Sequence, residues 1–288
     1  MRSEDVTAVG SSGVGQGVRP VQTADSSPVS LVFRDLADGV RHWRIWGMLA
    51  LNDVRVRYRR SKLGQFWLTL SMAVTILALG FVYSDIFQIP IQTYLPLIAV
   101  GLIVWALIAG LLNESAAVFI DSEGYIRSAA LPRSVFIFRM LLRNLIAFAH
   151  NLVLVPVVWV VFGTPLAWNS LLFIPALVLT LLAGLWIAMV VGTLSARFRD
   201  LPPIVAAFTQ IAFFVSPILW TENALRGRMQ ALQDWNPFAA FVLILREPLL
   251  GLPPTPAAWY LAVALNLFGG GVAIVFFARF RARVAYYL

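Results

Sequence analysis

The sequence lacks several residue types on which soluble enzymes rely. Its 288 residues include no cysteine, two histidines and one lysine, Lys62. Without cysteine, the chain can form no disulfide, thiolate metal site or cysteine nucleophile. Two histidines cannot supply a three-histidine zinc site. No spacing among Asp85, Glu222, Asp234 and Glu247 singles out an acid–base pair either, so we expect no catalytic residues, no metal and no cofactor bound by this chain.

Charge is scarce as well. Only 12% of the residues are charged, where an ordinary soluble domain has about 25%. Hydrophobic residues make up 60% of the chain and its mean hydropathy is +0.81. A soluble globule of this composition would expose large apolar patches. The composition disfavours a soluble enzyme, a disordered chain and a nucleic-acid-binding domain, and it predicts a membrane protein that has no nucleic acid partner.

The first 60 residues divide into two segments. Residues 1–30 are predicted to be a flexible tail, because the Gly/Ser-rich run at 10–17 has no apolar period. That run lacks the Lys and Ser/Thr of a nucleotide-binding P-loop, and no such motif occurs elsewhere in the chain. Residues 34–60 place apolar side chains, including Trp43 and Trp46, at three- and four-residue steps. This pattern predicts an amphipathic helix in the membrane interface.

Six later stretches are apolar and long enough to cross a bilayer, which takes about 20 residues. The predicted fold is therefore an all-α integral membrane protein with spans at about 66–88, 94–120, 134–162, 170–195, 203–221 and 257–280. Between the last two spans, residues 238–245 form an apolar run bounded by Pro237 and Arg246. It is too short to span and too apolar for a simple loop, which predicts re-entrant helices that dip in from the outer side.

Basic residues mark alternate connections. Arginines precede the first span and occur at 127, 133, 197, 199 and 279–283, whereas the 88–94 and 163–169 loops carry no charge. By the positive-inside rule, both termini face the cytoplasm. The high isoelectric point then reflects topology and contact with anionic lipid headgroups.

Four segments, in this order, carry a resemblance to a known family. They are 58–67 (YRRSKLGQFW), 199–201 (RDL) with 216–220 (SPILW), 236–238 (NPF) before Arg246, and 279–288 (RFRARVAYYL). Over residues 31–288 the chain resembles the permease subunits of ABC-2 type exporters of bacterial surface polysaccharides, the O-antigen, capsule and teichoic-acid exporters.

The resemblance implies a division of labour in the bacterial inner membrane. Two copies of this chain would form a pore, and two separate ABC ATPase subunits would bind ATP and magnesium. The cargo would be a polysaccharide linked to undecaprenyl diphosphate or a related lipid. The 121–133 loop matches the family's coupling helix, so ATPase contacts are expected from Glu123, Tyr125, Arg127, Leu131 and Pro132. The alternative is a plain connecting loop, although 2–6 residues would suffice for that.

Two groups of residues are candidates for contact with substrate. Trp105, Trp186, Tyr83 and Tyr94 offer aromatic faces on which sugars can slide. The alternative for the two tyrosines is anchoring at the membrane surface, and for the two tryptophans it is packing between helices. Candidates for contact with the lipid diphosphate are Arg55, Arg59, Arg60 and Lys62. The alternative is that these basic residues only hold anionic headgroups and set the topology.

Glu114 and Arg143 are ionisable residues inside predicted spans. Counted from the inner ends of their helices they lie about 9 Å and 13 Å deep, at 1.5 Å per residue. Since each charge alone is costly in hydrocarbon, we predict that they form a buried ion pair. The alternative is that Arg143 meets the substrate diphosphate while Glu114 bonds to a hydroxyl such as that of Ser115.

Two other functions remain open at this point. The architecture would serve equally well for an ABC-2 exporter of a drug or a lipid. A membrane-embedded transferase acting on lipid-linked sugars would need a polar cluster at one membrane face and no ATPase. Complementation of a glycan-export defect, or an ABC ATPase in the neighbouring reading frame, would discriminate among the three.

The charge pattern leads to a test of topology. Reporter fusions after Gly163 and at about Arg228 are expected to report the outer side, and fusions at Gly124 and Leu288 the cytoplasm, because arginine-rich connections stay inside. Phosphatase and fluorescent-protein reporters measure this. A cytoplasmic signal at Arg228 would contradict six spans.

Overall fold

The computed structural model describes residues 27–59, 64, 66–163, 167–220 and 235–288, and every regular element in these ranges is helical. The helices are α1 Pro28–Arg41, α2 Trp43–Tyr58, α3 Phe66–Phe87, α4 Ile91–Ala117, α5 Glu123–Ser128, α6 Ser134–Leu152, α7 Leu154–Phe162, α8 Phe173–Ile187, α9 Thr193–Arg197, α10 Leu201–Val215, α11 Pro237–Leu249, α12 Pro256–Phe280 and α13 Val284–Tyr287. A π-helical turn at Ala188–Gly192 joins α8 to α9, and 3₁₀ turns occupy Trp168–Leu172 and Arg281–Arg283. The predicted all-α class is confirmed.

Within the described residues, five helical segments are long and apolar enough to cross a membrane. They are α3, α4, the α6–α7 segment Ser134–Phe162, the segment Trp168–Arg197 and the segment Pro256–Tyr287. The predicted fifth span corresponds to α10, which has 15 residues. A sixth crossing through α10 stays a prediction, because a perpendicular span takes about 20 residues.

Prolines account for two departures from the predicted spans. The third span is interrupted at Val153, where α6 ends and α7 begins. Pro156 explains this break, since its ring clashes with the carbonyl of Leu152 four residues earlier. The fifth was predicted to extend to residue 221, but α10 ends at Val215 and Ser216 is extended (φ −96°, ψ 151°). Ser216 precedes Pro217, and a residue before proline disfavours the helical conformation.

The segment predicted as one interface helix over 34–60 consists of two helices. α1 begins at Pro28, inside the predicted tail, and ends at Arg41, and α2 begins at Trp43. The indole of Trp46 donates to the carbonyl oxygen of Gly39 at 3.1 Å. That oxygen would accept from the amide of Trp43 in a continuous helix, so the indole stabilises the break. Placement of this segment in the membrane interface stays a prediction.

Helix α4 forms the centre of the molecule. In its most apolar stretch 78% of the residues are buried, against 11% to 28% in the other four spanning segments. Helices α3, α6, α7, α8, α10 and α11 all contact it. A helix that is apolar on every side can lie in a protein core or face lipid, so the central position of α4 comes from the helices that pack around it.

Helix α11 contains the short apolar run that was predicted to be re-entrant. Its residues from Ala239 to Leu249 are buried against α4, α8 and α12. The side chain of Asn236 caps it by accepting from the amide of Phe238 at 2.9 Å. Near its other end, Glu247 accepts from the amide of Thr255 at 2.8 Å. Residues 221–234, which would complete a re-entrant pair, lie outside the described residues, and the outer-side placement stays a prediction.

Close packing of α8 on α12 leads to a stability test. A Cβ atom added at Gly269 would lie 2.6 Å from the Trp186 ring, whereas one added at Gly270 would meet no atom within 4 Å. We expect Gly269→Ala to lower the free energy of unfolding by about 1–3 kcal/mol through overpacking. Gly270→Ala is the matched control and should leave stability unchanged or raised, because alanine favours helix. Thermal unfolding in detergent measures both. Equal effects of the two changes would contradict the packing shown here.

Candidate functional site at the basic end

Three helices meet at the end of the molecule where α4 ends and α6 begins, which we call the basic end. Helix α2 contributes Asp53, α4 contributes Glu114, and α6 contributes Arg139 and Arg143. The two arginines are four residues apart and so lie on one face of α6. Because α2 and α4 both pack on α6, their charged side chains come together in one cluster.

The cluster is held by charge-assisted hydrogen bonds. Arg139 binds Asp53 through two nitrogens, Nε to Oδ2 at 2.7 Å and Nη2 to Oδ1 at 2.6 Å. Arg143 donates from Nη1 to Asp53 Oδ2 at 3.1 Å and from Nε to Glu114 Oε2 at 2.9 Å. Asn144 Nδ2 also donates to Glu114 Oε2, at 2.7 Å. We call these five residues the arginine–carboxylate network, and it joins α2, α4 and α6.

The network is largely buried, and its positive and negative charges balance. The four charged side chains are 11% to 23% exposed, and two carboxylates face two guanidinium groups. Exposed Arg57 adds a further positive charge, 3.8 Å from Glu114 Oε1. A buried charge without a partner is strongly destabilising, so each member depends on the others.

The electrostatics of Asp53 follow from its two arginines. Burial alone would raise the pKa of Asp53, but hydrogen bonds and charge from Arg139 and Arg143 outweigh burial and hold that pKa below its ordinary value of 3.8. A lowered folded-state pKa means that ionised Asp53 stabilises the fold above its unfolded-state pKa. That contribution is lost as the pH falls through the folded-state value. Asp53 is therefore ionised at neutral pH.

Helix α5 lies in the 121–133 loop and attaches to this network. The guanidinium carbon of Arg139 lies 5.2 Å from the centre of the Tyr125 ring, in a cation–π contact. Glu123 lies 2.8 Å from Arg127 and 3.5 Å from Arg199, measured between oxygen and nitrogen. Arg127 also donates to the carbonyl oxygen of Leu288. The loop is therefore held in place by contacts with three other parts of the chain.

A second polar contact fixes the start of α6. Buried Asp35 on α1 accepts from the amides of Arg133 and Ser134 at 3.1 Å and 2.9 Å. The Ser134 hydroxyl donates back to the Asp35 carbonyl at 2.6 Å, and Arg281 lies 3.6 Å from the Asp35 carboxylate. A carboxylate at a helix N-terminus satisfies unpaired amides and opposes the positive end of the helix dipole. Asp35 thus attaches α1 to the end of the predicted coupling loop.

Three members of the network were missed from the sequence: Asp53, Arg139 and Asn144. Glu114 and Arg143 were predicted to pair, and the structure brings them within 2.8 Å. Asp53 was not singled out, and Arg139 was noted only as lying near a membrane edge. One signal could have indicated a second carboxylate. Arg139 and Arg143 lie four residues apart on one helix face, so two buried guanidinium groups need two carboxylate partners, and only Glu114 was named from the sequence.

The aromatic candidates do not share a surface. Tyr94 is fully buried and donates to the carbonyl of Leu219 at 2.7 Å. Trp105 is also buried, with its ring centre 5.8 Å from that of Phe213. Trp186 is partly buried, and its indole donates to Asn266 Oδ1 at 3.2 Å. These three side chains pack between helices of a single chain.

The remaining candidates lie in varied surroundings. Tyr83 is partly buried beside Phe87, and Leu131 and Pro132 are partly buried at the end of the loop. Arg55 and Arg59 are exposed. Arg60 and Lys62 lie outside the described residues, so their predicted contact with a diphosphate stays a prediction.

Comparisons with known proteins agree on one family. The family model described as "ABC-2 type transporter" matches residues 46–250, which is more than half of the chain. Two O-antigen export system permease proteins RfbA of Klebsiella pneumoniae are 23% and 25% identical over 196 and 200 residues, covering 68% of this chain and 76% of each relative. The polysialic acid transport protein KpsM of Escherichia coli is 21% identical over 205 residues, covering 70% of this chain and 80% of the relative.

The network leads to a double-mutant test. Glu114→Gln and Arg143→Gln are each expected to lower the free energy of unfolding by about 3 kcal/mol, because each leaves a buried partner charge under-compensated. The double variant should lose less than the sum. Arg41→Gln, which breaks an exposed pair with Asp38 at 3.5 Å, is the control and should change stability little. Unfolding by denaturant in micelles measures all four, and strictly additive losses would refute the pair.

Proposed function

We propose that this chain, which belongs to the ABC-2 type transporter family, is the membrane subunit of an ATP-driven exporter of a bacterial surface polysaccharide. The observation that carries the proposal is the similarity to two O-antigen export permeases and a polysialic acid transport protein, over 68% to 70% of the chain. The five apolar segments that are long enough to cross a membrane support it. The cargo we propose is a polysaccharide on an undecaprenyl-diphosphate-type lipid, moved outward across the inner membrane.

ATP hydrolysis belongs to a separate subunit in this proposal. The sequence contains no P-loop motif, so two copies of an ABC ATPase would bind ATP and magnesium beneath two copies of this chain. The ATPases would bind at the basic end, which would face the cytoplasm together with both termini if the positive-inside rule holds for this chain. Rigid contact between subunits is required, because a conformational change in one must displace the other.

Helix α5 has the features that such a contact needs. Gly124, Tyr125, Arg127 and Ser128 are exposed, whereas Ile126 is buried. Its polar contacts with Arg139, Arg199 and Leu288 hold it against the rest of the chain. An exposed segment on a rigid support transmits a displacement, whereas a free loop absorbs it. This arrangement favours a coupling role over the alternative of a plain connection.

The polysaccharide path is proposed to lie between two copies of the chain. Most side chains of α4 are buried within the single chain, and the pocket of about 210 Å³ beside it is lined by apolar side chains such as Ile108 and Phe241, which does not suit a hydrophilic polymer. Helices α3 and α10 expose large apolar side chains such as Phe81 and Phe208. A two-fold dimer through these helices would place the path at its interface. Exposed Arg55 and Arg59, with Arg60 and Lys62, would attract the diphosphate of the lipid carrier.

The proposal predicts the result of replacing the coupling loop. A Gly/Ser linker in place of residues 121–131, which leaves the Arg133 and Ser134 amides for Asp35, should permit membrane insertion and abolish export. A flexible linker cannot transmit a displacement. Export is measured as surface polysaccharide in cells that also produce the partner ATPase. Gly270→Ala, on α12 and outside the loop, is the control and should export normally, because an added Cβ would meet no atom within 4 Å.

Two results would contradict this reading. Full export with the linker would exclude the loop from coupling. Failure of the native gene to restore surface polysaccharide, together with restored resistance to a drug, would favour the alternative ABC-2 cargo.

A further inference from the structure

We infer that Arg139 is a positioning residue that joins the coupling helix α5 to the interface segment α2, through the Tyr125 ring on one side and the Asp53 carboxylate on the other. The inference rests on the proposed function, since it assigns the route by which movement of α5 reaches the rest of the chain. It concerns two residues, Arg139 and Asp53, that the sequence prediction did not include in the site.

The first contact of the route is between α5 and α6. The Arg139 guanidinium lies 5.2 Å from the centre of the Tyr125 ring. Tyr125 is also 42% exposed, so the same ring can touch a docked ATPase and Arg139 at once. A cation–π contact strengthens as the cation loses water, and the Arg139 side chain is only 11% exposed. Movement of the ring is therefore transmitted to the guanidinium.

The second contact is between α6 and α2. Both hydrogen bonds from Arg139 to Asp53 belong to one planar guanidinium fork, at 2.6 Å and 2.7 Å. A planar fork keeps its geometry only if the two partners move together. Separating them would leave two buried charges under-compensated. Within the described residues, Arg139 Nη1 is buried and has no hydrogen-bond partner, so the fork to Asp53 and the Tyr125 ring account for the contacts of this guanidinium.

The third step carries the movement onward. Asp53 also accepts from Arg143, which binds Glu114 on α4. Helix α2 precedes α3, the first of the apolar spanning segments. Displacement of α5 thus reaches α2 through Arg139 on α6, and it reaches α4 through two further ion pairs, Asp53–Arg143 and Arg143–Glu114. Apolar packing alone would let the helices slide past one another, because the hydrophobic effect has no preferred direction.

The test compares substitutions that keep or remove the ring. Tyr125→Phe retains an aromatic face under Arg139, and Tyr125→Leu removes it. In proteoliposomes holding the permease–ATPase complex, Tyr125→Leu is expected to lower polysaccharide exported per ATP hydrolysed by about fivefold, the factor that corresponds to a cation–π contact of about 1 kcal/mol. Tyr125→Phe should export like the native complex. Arg139→Lys, which keeps the charge and loses the fork, should behave like Tyr125→Leu.

Phe198→Leu provides a matched control. Its ring centre also lies 5.2 Å from an arginine carbon, that of Arg197, and its side chain is similarly exposed at 51%. It lies outside the network and should leave the export ratio unchanged. A Phe198→Leu loss as large as that of Tyr125→Leu, or normal export by Tyr125→Leu, would overturn the inference. So would an equal loss in Tyr125→Phe, because the ring itself would then be irrelevant.

A second measurement is independent of the cargo. Because the chain has no cysteine, Ser128→Cys and Met48→Cys place single spin labels on exposed positions of α5 and α2. In nanodiscs of the chain alone, the distance distribution is expected to be narrow in the native and Tyr125→Phe backgrounds and broad in Tyr125→Leu. An equally narrow distribution in all three would refute the link. A complex that exports no polysaccharide while these widths follow the prediction would overturn the proposed function and leave the link standing.

Discussion

Pairing of buried charge is the constraint on which the basic end depends. Helix α6 presents Arg139 and Arg143 on one face at a depth where hydration is limited, and an uncompensated charge there costs several kcal/mol. Asp53 from α2 and Glu114 from α4 supply the compensation. Three helices from separate parts of the sequence must therefore keep one mutual register. A slide by one helical turn would move a carboxylate about 5.4 Å away from its arginine.

Apolar packing and polar contacts have different roles in the assembly of this molecule. Packing around α4 brings the helices together, as its extensive burial shows, but apolar surfaces are attracted without regard to direction. Polar contacts then select one arrangement. Asp35 on the first amides of α6 and Arg139 on Asp53 attach α1 and α2 at fixed positions along α6. The buried ions are costly and directional, which is why they specify register at the end where a partner would bind.

The two ends of α6 differ in physical character, and the difference agrees with a transport subunit driven from one side. Near its start, charged and hydrogen-bonded groups couple α6 to four other segments. Toward its end, α6 continues into apolar α7, which exposes valines such as Val160. Force applied at the start of α6 meets charged, directional contacts, whereas the later part packs mainly through apolar side chains, with hydrogen bonds from Thr69 to the His150 carbonyl and from Trp159 to the Leu249 carbonyl. This asymmetry suits a chain that receives movement at its polar end and rearranges within the membrane.

The sequence alone was enough to predict the fold class, the spanning segments, the family and one ion pair. Hydropathy and length were enough to predict the helical class and the five long segments. A helix that crosses a bilayer must be apolar over about 20 residues and must satisfy its own backbone hydrogen bonds. The resemblance in short motifs indicated the family, and depth counted along two helices placed Glu114 and Arg143 at similar levels. Other features depended on tertiary structure. Asp53 as the second carboxylate, Tyr125 beneath Arg139 and the burial of Tyr94 and Trp105 all depend on how each helix is rotated about its axis. Local periodicity cannot specify that rotation in helices that are apolar on every side, so only packing against the neighbouring helices decided which side chains meet.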